Sequence, residues 1–174
     1  MDTDAFKDAF ERYSDELFRH CLMRLNDRER ALELVQECFM RSMEYVRKGG
    51  EIEQMRPFLY RTLRHLIIDE YRRHKSSSLE AMAEVGERDV EEYMPQDESN
   101  TLEAAIDRHE GARALAVLQQ MPEPYRETLM LRYVESLTIG EIAKAVGESE
   151  NAVSVRIHRG LKKLRAILEN DEAS

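Results

Sequence analysis

The side chains with chemical potential in this 174-residue chain gather in two short stretches, and what they suit is non-covalent recognition. Between Glu150 and Leu168, a helical wheel puts Val153, Ile157, Leu161, Leu164 and Leu168 on one apolar stripe. Asn151, Val155, His158, Arg159, Lys162 and Arg165 fall opposite, flanked by Arg156 and Lys163. Guanidinium forks match guanine edges, and ammonium groups match phosphates. The second stretch runs from Pro57 to Lys75. There Leu59, Leu63, Leu66 and Ile67 share a face, Arg61, Arg64, Arg72 and Lys75 line up opposite, and Phe58, Tyr60 and Tyr71 are interspersed. Rings among cations suit unpaired strands, because bases stack while phosphates follow the charge. Solvated basic faces and core aromatics are the plainer readings of the same residues.

Covalent chemistry finds little support. His20, His65, His74, His109 and His158 are scattered, without Cys or Glu partners at metal-site spacing. Glu33/Glu37 and Asp69/Glu70 sit on polar helix surfaces. No phosphate-binding glycine loop or nucleophile elbow occurs. The expectation is a non-enzyme without metal or cofactor. Cys21 and Cys38 lie outside any C-x-x-C spacing and are expected to be reduced and buried.

The elements that position these residues are helices. Charged residues make up 35% of the chain with only seven glycines and four prolines, which favours surface-rich helices over a sandwich or barrel. Helices are predicted over about 4–23, 28–47 (capped by Asn26-Asp27 and ended by Gly49-Gly50) and from Pro57 to about 75. Residues 76–100 read as a flexible acidic linker. Helix resumes near Thr101, and Pro122 and Pro124 interrupt it and begin another reaching about Val134. Leu137–Leu168 then has the layout of a helix-turn-helix. Thr138 and Glu141 have capping-box spacing, Ile139, Ile142, Ala143 and Val146 form a buried stripe, and Gly147 makes the turn. The tail from Asn170 should fray. Gly160, inside the last helix, costs about 1 kcal/mol relative to alanine with no compensation visible in the sequence.

Charge is segregated. Arg56–Lys75 holds six basic residues against two acids, Arg156–Arg165 five against none, and Ser76–Ala112 two arginines against eleven acids. The net charge of −9 is unusual for a protein that grips DNA unaided, since phosphate attraction supplies most non-specific affinity. No run approaches the length of a membrane span, and the acidic start is unlike a signal peptide, so a cytoplasmic protein without membrane insertion is expected.

Taken together, these stretches resemble the extracytoplasmic-function (ECF) sigma factors of the bacterial sigma-70 family. Glu33-Leu-Val-Gln-Glu-Cys-Phe39 resembles D-L-V-Q-E-T-F, and Phe58–Arg73 resembles the W-L-Y-R-I-A-R-N helix. Leu118–Tyr133 and the helix-turn-helix resemble the family's C-terminal domain. The resemblance implies an all-α protein of two small helical domains. Residues 1–77 would be the sigma-2 bundle, 78–101 the acidic linker and 102–174 the sigma-4 domain. It further implies docking on the beta-prime coiled coil of core RNA polymerase by Glu33, Gln36, Glu37 and Phe39, and a contact with the beta flap. Phe58, Tyr60, Arg61, Arg64, His65, Arg72 and Arg73 would handle the minus-ten element. Asn151, Ser154, Val155, Arg156, His158, Arg159, Lys162 and Lys163 would read the minus-thirty-five element. An anti-sigma factor is the expected inhibitory partner.

Departures from the pattern are Glu33 for Asp, Phe58 for Trp, His65 for Asn, and Ser154-Val155 in place of a basic residue and a serine. The preferred minus-thirty-five sequence is therefore expected to differ from the common one. Two other classes compete: a free-standing helix-turn-helix regulator, which would bind an operator without polymerase, and an adaptor using its basic faces on acidic proteins.

Overall fold

The computed structural model describes residues 3–74 and 111–172, all of whose regular elements are helical. In order these are α1 (Thr3–Leu25), α2 (Arg28–Arg47), α3 (Met55–His74), α4 (Gly111–Gln120), α5 (Glu123–Leu129), α6 (Ile139–Val146) and α7 (Glu150–Glu172). Between α5 and α6, Met130–Val134 forms a π-helical turn. The predicted acidic linker and the resumption of helix near Thr101 lie outside the described residues. The chain divides into two compact units, one carrying α1–α3 together with Gly140–Gly147, and the other α4, α5 and α7.

Local chemistry sets the boundaries in the first unit. Asn26 ends α1 in the left-handed conformation (φ +54°) and donates its N–H to Leu22 O at 2.8 Å. Asp27 caps α2, accepting the Arg30 N–H at 3.1 Å. Helix α3 starts at Met55, two residues before the predicted Pro57, which still falls in the first turn where a missing N–H costs nothing.

The three helices pack pairwise. Leu17, Leu34, Leu59, Leu63 and Ile67 interlock between them, each 0–1% exposed. Full burial of such a side chain contributes about 1.5–3 kcal/mol. Polar ties cross the same interfaces. Arg30 on α2 donates to Glu70 on α3 at 2.6 Å, and Arg56 on α3 pairs twice with Glu16 on α1, at 2.7 and 3.1 Å. The Tyr71 hydroxyl donates to Arg24 O at 2.8 Å.

Both thiols are free and buried, as expected. Burial, the largest influence on each, pushes Cys21 and Cys38 up to about 12. Cys38 donates its thiol hydrogen to Leu59 O at 3.3 Å.

In the second unit α4 and α5 pack on α7. Pro122 and Pro124 separate α4 from α5 as predicted. Ser149 starts α7, its hydroxyl accepting the Ala152 N–H at 3.1 Å. Helix α7 runs to Glu172, past the residue where fraying was predicted, and Arg165 pairs with Glu169 at 2.9 Å near that end.

Gly160 has a structural reason. A Cβ there would lie 3.1 Å from Leu129 Cδ1 and 3.3 Å from Tyr125 Cδ1, so the bare backbone lets α5 approach α7 closely. Gly160→Val should lower stability by about 1–3 kcal/mol, the usual cost of overpacking a filled interface, in urea denaturation followed by circular dichroism. Full stability in that variant would mean that the approach is not tight.

His20 yields a second expectation. It is 3% exposed and meets Tyr60 edge-on, ring centroids 5.5 Å apart. Burial first, then Arg24 and Arg19, holds it well below its ordinary value, so it stays neutral in the fold. The unfolded chain takes up a proton below about pH 6.5 and the folded chain does not, so stability should fall as pH drops from 6.5, by up to about 1.4 kcal/mol per unit. His20→Phe should remove that part of the slope between pH 6.5 and 5. An unchanged slope would place the titration elsewhere.

Candidate functional site

Three surfaces gather the residues singled out in the sequence. The first is the outer face of α2, which has charged residues in its first and last turns and apolar ones along its inner side. A shallow depression there is lined by Glu33, Gln36, Glu37, Met40, Arg41, Glu44 and Arg47. Glu33 is well exposed although it pairs with Arg30 at 2.7 Å, and Glu37 pairs with Arg41 at 2.6 Å. Such surface pairs contribute little to stability, about 0–1 kcal/mol, so both carboxylates can exchange partners cheaply.

Phe39 does not belong to this face. It is 6% exposed and stacks edge-on against Phe10 at 5.1 Å. It sits two positions after Glu37, about 200° round the helix, where the core claims it. Met40, 69% exposed, takes its place outside. The wheel puts Met40 one turn on from Gln36 and Glu37, a signal the motif reading passed over.

The second surface is α3. Leu59, Leu63, Leu66 and Ile67 are buried, and Arg61 and Arg72 are exposed, as the wheel predicts; Arg73, in the last turn of the helix, is exposed as well. Arg64 is half-buried. His65 is at the surface. Desolvation against the helix, then Arg61 and Arg64, holds it below its ordinary value, so near neutral pH it is an uncharged donor and acceptor. Phe58 is half-buried and meets Tyr45 of α2 at 5.1 Å. Tyr60 is corrected: at 2% exposed, against His20, it is a core ring and is not presented to a base. Tyr71 is likewise tied to α1 through Arg24.

The third surface is on α7, which α6 precedes in the chain. Ile142, Ala143, Ala145 and Val146 of α6 are buried, with Ile139 half-buried. Gly147 takes φ +72° and donates to Ala143 O at 2.9 Å, the left-handed helix ending that glycine permits. On α7, Asn151, Lys162 and Lys163 are exposed, and Ser154, His158 and Arg159 are half-buried. Val155 is corrected, being 4% exposed. In its first turns α7 is buried on two sides, so an apolar residue opposite the main stripe is also withdrawn from water. Lys163 lies over the Tyr125 ring at 5.2 Å.

Arg156 pairs with Glu148, at the turn before α7, at 2.6 Å. That carboxylate is a feature the sequence reading did not assign. It holds Arg156 in place and cancels its charge. Glu148→Gln should therefore raise the affinity of the isolated chain for duplex DNA and steepen the salt dependence of log K by about 0.9, one added phosphate contact. A titration across salt concentrations checks this, and an unchanged slope would mean that Arg156 stays off the backbone.

Comparison with known proteins gives the family. Residues 9–77 match Sigma-70 region 2, and residues 112–164 match Sigma-70, region 4. The chain is 25% identical over 177 residues to the ECF RNA polymerase sigma factor SigW of Bacillus subtilis, covering 97% of this chain and 91% of that protein. It is 27% identical over 174 residues to the ECF RNA polymerase sigma factor BldN of Streptomyces coelicolor, covering 98% of this chain and 62% of that one. In fold it is similar to the sigma factor RpoE of Bartonella quintana, solved with the anti-sigma factor NepR. The TM-score is 0.66 at 16% identity, over 96% of this chain and 98% of that one. The chain belongs to the sigma-70 family, in its ECF group.

Proposed function

We propose that this chain is a promoter-specificity subunit of RNA polymerase, with its three surfaces dividing the work. The exposed α2 face, with Glu33, Gln36, Glu37 and Met40, docks on core enzyme. The cationic side of α3, through Phe58, Arg61, Arg64, His65, Arg72 and Arg73, opens and holds the minus-ten region. On α7, Asn151, Ser154, Arg156, His158, Arg159, Lys162 and Lys163 grip the minus-thirty-five duplex. Residues 1–77 and 102–174 act as separate modules, with 78–101 between them. The observation that carries this reading is the order of the two matches, region 2 and then region 4, along one chain whose basic helices lie within them.

Charge supports the division. A net charge of −9 makes the free chain a poor DNA binder, so tight promoter binding has to draw on core polymerase. That disfavours a free-standing regulator. The reading includes a cytoplasmic site of action and an inhibitory anti-sigma partner of the kind solved with the Bartonella protein. Among the described residues no helix is long and apolar enough to cross a membrane.

Two substitutions separate the surfaces. Glu37→Lys should weaken core binding about tenfold and leave folding intact, because reversing a rim charge adds repulsion without disturbing the core. Arg159→Glu should leave core binding unchanged and reduce minus-thirty-five-dependent transcription roughly 5- to 150-fold, the range of one lost base contact. Pull-down with core enzyme and run-off transcription from a promoter selected with the reconstituted holoenzyme measure the two. Equal loss of core binding in both variants would sink the division.

A further inference from the structure

One face of α2 carries sulfur in the open. Among the described residues, Met121 and Met130 are buried, and Met23 and Met55 are half-buried. Met43 and Met40 of α2 differ, at 44% and 69% exposed. Met40 comes one turn after Gln36 and Glu37 and one turn before Glu44, whereas Phe39 beside it turns inward onto Phe10. It lines the same shallow depression as those three polar residues. Glu37 is engaged with Arg41 at 2.6 Å and Glu44 with Lys48 at 2.7 Å, and between them Met40 keeps most of its surface in water.

Thioether chemistry makes that exposure consequential. The sulfur needs no deprotonation to act as a nucleophile, and it lacks the shelter that the core gives Cys21 and Cys38. A peroxide transfers one oxygen to it. The sulfur lone pair forms the S–O bond, the O–O bond breaks, and the other oxygen leaves as water. The sulfur loses two electrons and the peroxide gains them. The product is a polar, chiral sulfoxide, and reductases for its two epimers return it to the thioether. A flexible apolar side chain suited to an irregular interface thereby gains an acceptor oxygen, which is stranded when docking expels water. We propose that Met40 is a reversible oxidation site, at which a peroxide converts the docking face of α2 into a form that core polymerase holds poorly. The site rests on the promoter-subunit reading, which sets this face against core enzyme, and adds a chemical control to it.

The test treats the full chain with hydrogen peroxide, locates sulfoxide by peptide mass spectrometry and measures affinity for core polymerase. Among the methionines of the described residues, Met40 should oxidise first. Affinity should fall about 10- to 150-fold, the range that burial of one such side chain spans, with the circular dichroism spectrum unchanged. Methionine sulfoxide reductases with a thiol reductant should restore it. Untreated Met40→Gln should show the same loss, because its amide is likewise polar. Met40→Leu, compared with itself before treatment, should lose no affinity, because leucine has no sulfur to oxidise. Prior binding of core polymerase should slow oxidation of Met40 in the wild-type chain. Undiminished affinity of a chain carrying sulfoxide at Met40 overturns the site and leaves docking by α2 standing, and so does an equal loss on treatment of Met40→Leu. Failure of the untreated wild-type chain to bind core polymerase overturns the promoter-subunit reading itself.

Discussion

Burial of the apolar side of α3 is the constraint from which the first unit follows. Leu59, Leu63 and Ile67 leave water completely, against residues such as Leu17 and Leu34. Once that stripe is committed, helical periodicity leaves Arg61 and Arg72 outside. The cationic side needs no interaction of its own to hold it outward. The ties from Arg30 to Glu70 and from Arg56 to Glu16 then fix rotation and slide of the helices, a directional role that the hydrophobic effect cannot fill. The Glu70 carboxyl stays below its ordinary range chiefly because Arg30 donates to it.

The second unit applies the same logic with a smaller tolerance. Helix α7 must bury Val153, Ile157, Leu161 and Leu164 while keeping a basic side for recognition. At Gly160 it has no side chain, and Leu129 and Tyr125 come close enough to fill the space. The propensity lost to glycine, about 1 kcal/mol, is offset by close packing of α5. Tyr125 then serves twice, since Lys163 lies over its face.

Much of this was legible in residue order. Periodicity located α1–α3 and α7, Asp27 and Gly49 marked ends, and Pro122 and Pro124 split α4 from α5. The errors have a common physical origin. Tyr60 and Phe39 were placed outward by motif position and Val155 by the helical wheel, yet each is buried. A motif says which residue types recur, whereas burial depends on what another helix brings opposite, and a single helical wheel does not contain that. Gly160 was unexplained for the same reason, as its partners are more than thirty positions away in α5. The π-turn at Met130–Val134 left no local trace, because its side chains would suit an α-helix equally well. Glu148 and Met40 were readable by spacing and were passed over in favour of the family pattern.

The two cysteines carry a last implication. Oxidants and alkylating agents attack thiolates, and a thiol held near 12 inside a helical core offers almost none at neutral pH. These are the chain's entire complement of sulfhydryl groups. While the chain is folded its two thiols are therefore poor targets for peroxide, and a signal carried by thiol oxidation has to reach this factor through another molecule.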